Sequence, residues 1–591
     1  MAAPRRGAGL RRRRRLGEPA VAPHLRDRLH CGGRPVSTPE PTVTADVAVV
    51  GGGLGGVAAA LAAARAGATV VLVEEFSRVG GQVTTQALPA LDEHPHIESF
   101  GASAGYRAFR DAVRAHYGGT ANPGGGWVSR LCFEPAVAGR VLDATLAEAK
   151  VTVLTGRSPV AARAEGGRIH DVTLTDGTVL AAAVFCDATE RGDLAPLAGF
   201  ATVTGSEGRD AHGEPDAVPG GPDPAAQQSF TWCALVEHHP GADFTGPAPA
   251  RYAELRHRLS FDIAGWDGGV HRYRMFTDGP DGRPPFWTYR RLRATAPELA
   301  VLNWASNDCA GYDPIGDPAG AERAGRELTA AFVHWLRTEA PREDGGRGFP
   351  GLRLAPEAAG TADGFAEAPY LRESRRIVVE RPVTGHDLAP VPGRARARHL
   401  AGSLGVTWYH VDLHERTGHP DPVYRETAPF TVPADALVPR GAVNLLAAAK
   451  NLGATQVAAA AYRVHHGEWA VGEAAGALAA RAALDARPVG VVRDDPAFLL
   501  AVQRDLVAAG VPLAWVADVP PDDPRFAAVH LAAAHGAVEG ERAADLAVEP
   551  DRPPGPEDLA ALRRAARSLG ADPSLVDPDR ALGALMEDIV R

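Results

Sequence analysis

The stretch ADVAVVGGGLGGVAAALAAARAGATVVLVEE, residues 45–75, decides the fold. Its pattern predicts a short β-strand over residues 47–50, a glycine turn, and a helix over residues 54–66. A second strand follows and ends at Glu74, 23 residues after Gly51. The order strand, glycine turn, helix, strand and acid predicts a Rossmann-type dinucleotide-binding unit in an α/β protein.

The glycines of this unit fit the pattern G-x-G-x-x-G, and each has a physical role. The first allows a tight turn, the second lets the backbone approach a pyrophosphate, and the third lets helix and strand pack closely. A carboxylate at Glu74 would accept the ribose hydroxyls, and it disfavours the 2′-phosphate of NADP. The predicted cofactor contacts in this unit are Gly51, Gly53, Gly55, Gly56 and Glu74.

The residues directly after the acid favour FAD over NAD. The sequence EFSRVGGQVTTQ places a glycine pair at Gly80 and Gly81, as in flavoproteins of the glutathione-reductase type, where such a pair brings the chain alongside the flavin. Gly81 and Gln82 are therefore predicted cofactor contacts. No second G-x-G-x-x-G follows downstream, so the electron donor is expected to be the substrate or an outside partner.

Composition excludes several other classes of function. The chain of 591 residues is 45% hydrophobic and 23% charged, as expected for a soluble globular protein. Its net charge of -10 gives no basic field for nucleic acid, and no window is long and apolar enough to predict a membrane span. The five cysteines lie at least 47 residues apart, which argues against a zinc, iron–sulfur or disulfide framework, so no metal is expected and a cytoplasmic location is predicted.

Beyond the glycine turn, the sequence resembles the bacterial FAD-dependent oxidoreductases. This family has a glutathione-reductase-type FAD fold and is distantly related to the flavoprotein subunit of heterodisulfide reductase and to fumarate-reductase-type flavoproteins. The resemblance runs over residues 46–480, and it implies FAD as the cofactor but no particular substrate. Its blocks, in order, are GGQVTTQALPALDEHPHIESFG, NPGGGWVSRLCFEP, DATERGDLAPLAG, PFWTYRRL, LNWASND, PYLRESRRI, VDLH and NLLAAAKNLGATQ with YRVHHGEWAVGEAAGALAA.

The resemblance and the pattern together predict how the chain is divided. We expect a Rossmann-type FAD-binding domain built from two chain segments, an inserted α+β substrate domain, and a C-terminal helical appendage. The predicted boundaries are 1–43 for a disordered N-terminal extension, 44–204 for the first FAD segment, 205–420 for the substrate domain, 421–485 for the second FAD segment, and 486–591 for the C-terminal helical region.

Further cofactor contacts are expected where the chain returns to the nucleotide. The strand in VFCDATERGDL ends at Asp187, and the following turn with Asp193 either contacts FAD or is only a capped turn between strand and helix. Lys450, one of two lysines in the chain, lies in a predicted loop before the flavin-facing helix, where its ammonium could reach a flavin carbonyl or N5. The predicted contacts of these segments are Asp187, Asp193, Lys450, Asn451, Gly453 and Gly472.

Hydride transfer from a substrate needs a base that titrates near neutral pH, and histidine is the usual choice. The predicted bases are His414, then His465, then His94, although each could equally be a hydrogen-bonded structural histidine. Arg375 and Arg372 are predicted to stabilise substrate charge.

One segment departs from the family pattern. Relatives carry GTTHITNGCYRLHPVEW where this chain has GATQVAAAAYRVHHGEW, so a histidine is replaced by Gln456 and polar positions by Ala458 and Ala459. If that histidine is catalytic in relatives, its function has been lost or moved in this protein, and His466 is a candidate replacement.

The sequence therefore predicts an FAD-dependent oxidoreductase of the dehydrogenase or oxidase type. Its substrate would be a polar small molecule, sugar-like or a hydroxy or amino compound, oxidised by hydride transfer to flavin N5. Oxygen or an acceptor protein would reoxidise the flavin, and no nucleic acid or membrane partner is expected. The alternatives are an electron-transfer flavoprotein subunit, a flavin monooxygenase of a biosynthetic pathway, or a flavin-binding scaffold without activity.

Overall fold

The computed structural model describes residues 42–265, 268–400, 402–538 and 546–591. Residues 1–41 of the predicted N-terminal extension lie outside the described residues. The first strand begins at Thr42. Cys31 also lies outside them, whereas Cys132, Cys186, Cys233 and Cys309 are buried free thiols.

A mainly parallel sheet with helices packed against it forms the first part of the chain. Its strands are β1 Thr42–Val50, β2 Val70–Val73, β3 Thr152–Leu154, β4 Pro159–Glu165, β5 Arg168–Leu174 and β6 Val179–Asp187. The helices of this part are α1 Leu54–Arg65, α2 Ala104–His116, α3 Pro135–Glu148 and α4 Leu194–Leu197. Helix α1 is the predicted helix, one residue shorter, and it is buried over its first ten residues because nearly all of them are small or apolar.

The middle of the chain is a mixed region of short strands and one long helix. Its strands are β7 Thr202–Val203, β8 Phe230–Thr231, β9 Ala234–His238, β10 Ile263–Ala264, β11 Val270–His271, β12 Arg291–Arg293, β13 Glu298–Leu302, β14 Asp308–Cys309, β15 Leu352–Leu354, β16 Arg376–Ile377, β17 Ser403–Thr407, β18 Val411–Leu413, β19 Val423–Arg425 and β20 Phe430–Pro433. Its helices are α5 Arg209–His212, α6 Tyr252–Leu255, α7 Pro318–Thr338, α8 Pro356–Ala359 and α9 Gly385–Leu388. Strands β12, β13, β9 and β15 form an antiparallel sheet in that order, and an aromatic-rich core lies between this sheet and α7.

The chain then returns to the first sheet, as the sequence predicts. Strand β21 Leu445–Ala447 pairs in parallel with the second half of β6, so that Ala447 lies opposite Asp187. The first half of β6 pairs with β5 instead, and β1 runs along the whole strand on the other side. Two segments more than 200 residues apart thus share one sheet, in the order β3, β2, β1, β6, β5, β4, with β21 beside β6.

Two helices follow β21, α10 Gln456–Tyr462 and α11 His465–Leu484. Helix α11 packs along α1 at very close range: a Cβ atom on Gly476 would lie 2.1 Å from the Ala59 carbonyl oxygen. Glycine at this position therefore lets the two helices pack closely.

The remaining chain is helical, as predicted. Its helices are α12 Pro496–Ala508, α13 Phe526–Ala534, α14 Pro556–Leu569 and α15 Leu582–Val590. Their apolar faces belong to the same hydrophobic core as the large sheet, so the α/β class with a helical C-terminal part is confirmed. Among the described residues, no helix has the length and apolar character that a membrane span requires.

Candidate functional site

The glycine turn between β1 and α1 has no room for side chains. Gly51 has a φ of +105°, and a Cβ atom there would lie 2.1 Å from the Ala188 carbonyl oxygen. A Cβ atom on Gly56 would lie 1.9 Å from the Gly51 carbonyl oxygen. Both positions need glycine for steric reasons, as the sequence pattern predicts.

The start of α1 is suited to an anion. Gly53 caps the helix without a side-chain hydrogen bond. The N–H groups of the first helical turn have no acceptor within the helix, and the helix dipole adds partial positive charge at this end. A pyrophosphate is the kind of group that such a turn binds.

Glu74 lies at the end of β2, where the ribose acid is predicted. Its carboxylate accepts hydrogen bonds from the backbone N–H groups of Gly52, at 2.6 Å, and Phe76, at 2.9 Å. Burial raises the pKa of Glu74 to about 7, against the lowering effect of these two bonds. The acid therefore supports the turn itself, and it lies beside the glycines that would hold the cofactor.

Two buried amides next to the turn have polar atoms without a hydrogen-bond partner in the part of the chain that the structure describes. Gln86 is fully buried, and among the described residues neither its amide nitrogen nor its amide oxygen has a hydrogen-bond partner. Its Nε2 atom lies 3.6 Å from the place of a Cβ atom on Gly81. Gln82 donates to the Arg463 carbonyl oxygen at 2.9 Å, while its own Oε1 atom is unpartnered. Unpaired buried amides are costly, so this location fits a bound polar ring such as a flavin.

Lys450 is buried between two carboxylates. Its Nζ atom lies 2.5 Å from Glu190 and 3.3 Å from Glu468, and it donates to the Leu371 carbonyl oxygen at 3.1 Å. Burial would lower the pKa of Lys450, but the two carboxylates raise it above its ordinary value. The lysine is therefore a fixed cation.

Glu190 connects this lysine to the glycine turn. Its Oε1 atom lies 3.0 Å from the place of a Cβ atom on Gly53 and 3.1 Å from that on Gly81. Sequence reasoning missed both Glu190 and Glu468, because nothing in the sequence shows that three segments bring their charges together here. Only the presence of Glu190 in DATERGDL, within a predicted cofactor block, gave a signal.

Three of the glycines predicted to contact the cofactor are needed for close packing. A Cβ atom on Gly472 would lie 1.9 Å from the Gly55 carbonyl oxygen, and one on Gly55 would lie 2.3 Å from the Ala448 carbonyl oxygen. A Cβ atom on Gly453 would lie 2.3 Å from a methyl group of Val379. These glycines allow close contact between secondary-structure elements. Gly55 lies in the first turn of α1, so its backbone N–H is the group that could still contact the cofactor.

Three polar residues predicted to contact FAD are used within the protein. The carboxylate of Asp187 accepts from Thr189 and from the backbone N–H of Ala195, at 2.7 Å and 2.9 Å, so it caps the turn after β6. Asn451 donates to the Asp187 carbonyl oxygen at 3.0 Å. Asp193 pairs with Arg375 at 2.6 Å. The structure thus favours the capped-turn alternative, and Arg375 does not line the cavity described next, so its predicted role in binding substrate charge has no support from that cavity.

A large cavity lies beside this region and contains most of the predicted substrate-binding chemistry. Its volume is about 980 Å³, at the upper end of the range for small-molecule sites. Its walls come from the segment after the glycine pair, from the middle region and from β18. The charged and histidine residues that line it are Asp92, Glu93, His94, Arg283, Arg290, Asp308, Arg372, His410, Asp412, His414, Glu415, Glu426 and Arg463.

His414 lies on the wall of this cavity between two carboxylates. Its Nδ1 atom is 2.7 Å from Asp308 Oδ2, and its Nε2 atom is 3.4 Å from Asp412 Oδ2. Burial and Arg372 would lower the pKa of His414, but Asp412 and Asp308 outweigh them and raise it above its ordinary value. The shorter contact fixes Nδ1–H toward Asp308, so that a neutral ring would carry its lone pair on Nε2.

Each arginine on the inner wall is paired with a carboxylate. Arg372 lies 2.9 Å from Asp308. Burial alone would raise the pKa of Asp308, but the positive charges of Arg372 and His414 outweigh it and hold this pKa well below its usual value. Arg463 lies 2.9 Å from Asp412. Arg372 does line the cavity as predicted, but its charge is already compensated.

The other two predicted bases differ in position. His94 lines the cavity, stacked on Trp408 with ring centroids 3.4 Å apart, and burial lowers its pKa to about 4. His465 is fully buried: its Nδ1 atom accepts from the backbone N–H of Asp92, and its Nε2 atom donates to the Leu88 carbonyl oxygen. The structure therefore contradicts a role for His465 as a base that contacts substrate.

Sequence reasoning did not pair His414 with the two carboxylates that hold it. Asp412 had a usable signal, because residues two apart in the strand VDLH point to the same face. Asp308 lies in the block LNWASND, but nothing in the sequence pairs it with His414, which is 106 positions away.

The family model for FAD dependent oxidoreductases matches residues 46–506, which is more than half of the chain. The chain belongs to this family. It is an oxidoreductase enzyme and FAD is its cofactor, in agreement with the fit of the glycine turn and the unpartnered amides. The kinship predicted with heterodisulfide reductase and fumarate-reductase-type flavoproteins stays a prediction.

No curated protein sequence matches the chain. Solved structures with local similarity include a geranylgeranyl bacteriochlorophyll reductase-like protein from Thermoplasma acidophilum, at 16% identity over 33% of this chain and 47% of that one, with a TM-score of 0.19. OxyS anhydrotetracycline hydroxylase from Streptomyces rimosus matches at 15% identity over 35% of this chain and 39% of its own, with a TM-score of 0.23. The chain thus spans less than half of either structure, and similarity at this level identifies no reaction.

Proposed function

We propose that this enzyme oxidises a polar, hydroxyl-bearing small molecule in the cavity beside the flavin site. The observation that carries the proposal is His414, held on the cavity wall by Asp308 at 2.7 Å with its Nε2 atom toward Asp412 at 3.4 Å. This is the arrangement of a general base whose orientation is fixed by a carboxylate.

When bound, FAD supplies the acceptor for a hydride at its N5 atom. In the proposed reaction, His414 Nε2 takes the proton of the substrate hydroxyl while the carbon–hydrogen bond is broken, so that the product is a carbonyl compound. Asp308 keeps Nδ1–H in place and stabilises the imidazolium that forms. The contact between Nε2 and Asp412 is the longer of the two, and it is the one that a substrate hydroxyl would replace.

The cofactor would be held by the residues that surround the unpartnered amides. The α1 N-terminus would bind the pyrophosphate, Glu74 the ribose, and Gln82, Gln86 and Lys450 the ring system. The cation of Lys450 would stabilise negative charge on the reduced ring. Oxygen or an acceptor protein is proposed to complete the cycle.

The experiment is anaerobic reduction of the purified holoprotein. We expect the oxidised-flavin absorbance to be lost on mixing with members of a panel of sugars, polyols, amines and hydroxy acids. NADH and NADPH are tested separately. Reduction by NADH or NADPH alone would contradict the proposal and favour a monooxygenase.

A further inference from the structure

The cavity has an outer part made of aromatic rings, distinct from the charged inner wall around His414. Trp127 is 38% exposed and Tyr424 is 37% exposed, and both line the cavity. Large exposed rings at the rim of a pocket are typical of ligand-binding surfaces rather than of folding cores.

The Trp127 ring is held in place from behind. Its Nε1–H donates to the Pro285 carbonyl oxygen at 3.0 Å, and its ring lies nearly parallel to that of Tyr273, with an interplanar angle of 7° and centroids 6.1 Å apart. Tyr273 in turn meets Trp304 edge to face at 5.0 Å. The exposed ring is therefore part of a rigid aromatic platform, which we call the Trp127 platform: Trp127, Tyr273, Tyr289 and Trp304.

A second set of rings includes Tyr424. His410 lies between Tyr409, on which it stacks with ring centroids 3.9 Å apart, and Tyr424, whose tilted ring has its centroid 4.1 Å away. The Tyr424 hydroxyl donates to Glu426 at 2.8 Å. The rim thus combines flat apolar faces with hydrogen-bonding groups at their edges.

The charges of the cavity select the class of ligand. Each of the four lining arginines faces a carboxylate: Arg290 lies 3.2 Å from Asp92, Arg283 2.8 Å from Asp281, and Arg372 and Arg463 are paired as described above. An anionic ligand therefore finds no uncompensated arginine among the described residues of the lining.

Of the three remaining carboxylates of the lining, two have cationic partners behind the wall, and the third, Glu426 at the rim, accepts from the Tyr424 hydroxyl. Glu93 pairs with Arg110, and Glu415 lies 3.7 Å from Arg258. A cationic ligand therefore finds the acids of the inner wall largely compensated, and a neutral ligand rich in hydroxyl groups fits best. The C–H faces of sugar rings carry slight positive charge and pack well on the electron-rich faces of aromatic rings.

We propose that the Trp127 platform is an outer subsite that binds the distal rings of a neutral oligosaccharide, while its terminal ring lies against His414. This subsite rests on the proposed function, because it presumes that the inner ring is the one oxidised. It sets the substrate class as neutral carbohydrate longer than one ring, in agreement with a cavity of about 980 Å³.

The test measures binding by calorimetry to holoprotein whose flavin has been reduced beforehand, so that no turnover occurs. The probes are glucose, maltotetraose and cellotetraose, with tetragalacturonate and chitosan tetramer as charged counterparts. Trp127→Ala should weaken binding of the preferred neutral tetrasaccharide about tenfold while changing glucose binding less than about twofold. Trp127→Phe should restore most of the loss, and Tyr424→Ala gives a second, independent variant.

Tyr312→Ala is the matched control, because Tyr312 is equally exposed, at 39%, but does not line the cavity. The subsite is overturned if neither neutral tetrasaccharide binds, if either charged tetramer binds more tightly, or if Trp127→Ala weakens glucose and tetrasaccharide alike. Tight binding of the tetrasaccharide without anaerobic reduction of the oxidised flavin would contradict the proposed function and leave the subsite standing.

Discussion

The glycine turn and the cavity wall are both functional regions, but they are built in opposite ways. The turn takes its essential residues from one short stretch, so that Gly51, Gly56 and Glu74 lie within 24 consecutive residues. The wall around His414 takes Asp308, Arg372, Asp412 and Arg463 from segments up to 155 positions apart. A steric rule therefore governs the turn, whereas the wall depends on how charges from distant segments compensate one another.

The largest effect is expected from adding one methyl group to the glycine turn. Gly51→Ala would place a Cβ atom 2.1 Å from the Ala188 carbonyl oxygen at a φ of +105°. We expect loss of bound FAD and destabilisation by at least about 3 kcal/mol. FAD content after purification and thermal unfolding measure the two effects.

Gly67→Ala is the matched control for that variant. Gly67 also has a positive φ, +93°, but nothing lies within 4 Å of a Cβ atom there. It should lose only about 1–2 kcal/mol and keep its FAD. Equal losses in both variants would mean that backbone strain, and not the clash with Ala188, makes glycine necessary at the turn.

The next largest effect is expected at the carboxylate behind the base. Asp308→Asn removes the charge that fixes His414 Nδ1–H at 2.7 Å and leaves the buried Arg372 without its partner. We expect kcat to fall about 100-fold with FAD content unchanged, and thermal stability to fall by about 3 kcal/mol. Steady-state kinetics below the unfolding transition separate the two losses.

Asp223→Asn is the control for a histidine–aspartate pair away from the cavity. Asp223 lies 3.5 Å from His419, and neither residue lines the cavity. It should leave kcat unchanged. A kcat for Asp308→Asn close to that of the unaltered enzyme would remove Asp308 from the proposed mechanism.

A smaller, directional effect is expected from the second carboxylate. Asp412 helps raise the pKa of His414, so its removal should lower that pKa. Because a base acts only after losing its proton, the acid limb of the kcat/KM profile should move to lower pH in Asp412→Asn. Glu426→Gln changes another cavity acid that makes no contact with His414 and should leave the acid limb in place. A shift to higher pH in Asp412→Asn would argue against His414 as the base.

The smallest effect should appear at the acid beside the turn. Glu190 lies against Gly53 and Gly81 and pairs with Lys450, so it adds negative charge where a pyrophosphate is expected. Glu190→Gln should bind FAD several-fold more tightly, as measured by quenching of flavin fluorescence during titration of the apoprotein. Glu254→Gln alters an exposed acid and serves as the control. Weaker FAD binding in Glu190→Gln would show that the acid supports the cofactor instead of opposing it.

The same contrast explains what the sequence could predict. The strand, turn and helix at residues 45–75 follow from local sterics and hydrophobic pattern, and the return of the chain through β21 agrees with the predicted division of the FAD-binding domain into two chain segments. The predicted cofactor contacts of Gly472, Gly453 and Asp187 stay predictions, because closeness to the cofactor in sequence does not distinguish a contact from the packing and capping that the structure shows for them. His414 could be proposed from its residue type, but its carboxylate at Asp308 could be found only in three dimensions.

The most direct test of the central claim is the rate of anaerobic flavin reduction in His414→Gln at a saturating concentration of the best substrate. Gln keeps a polar side chain of similar reach but cannot take a proton. We predict a rate lower by a factor of about 100 to 10,000 at unchanged FAD content and substrate binding. A rate equal to that of the unaltered enzyme would contradict the assignment of His414 as the base of this cavity.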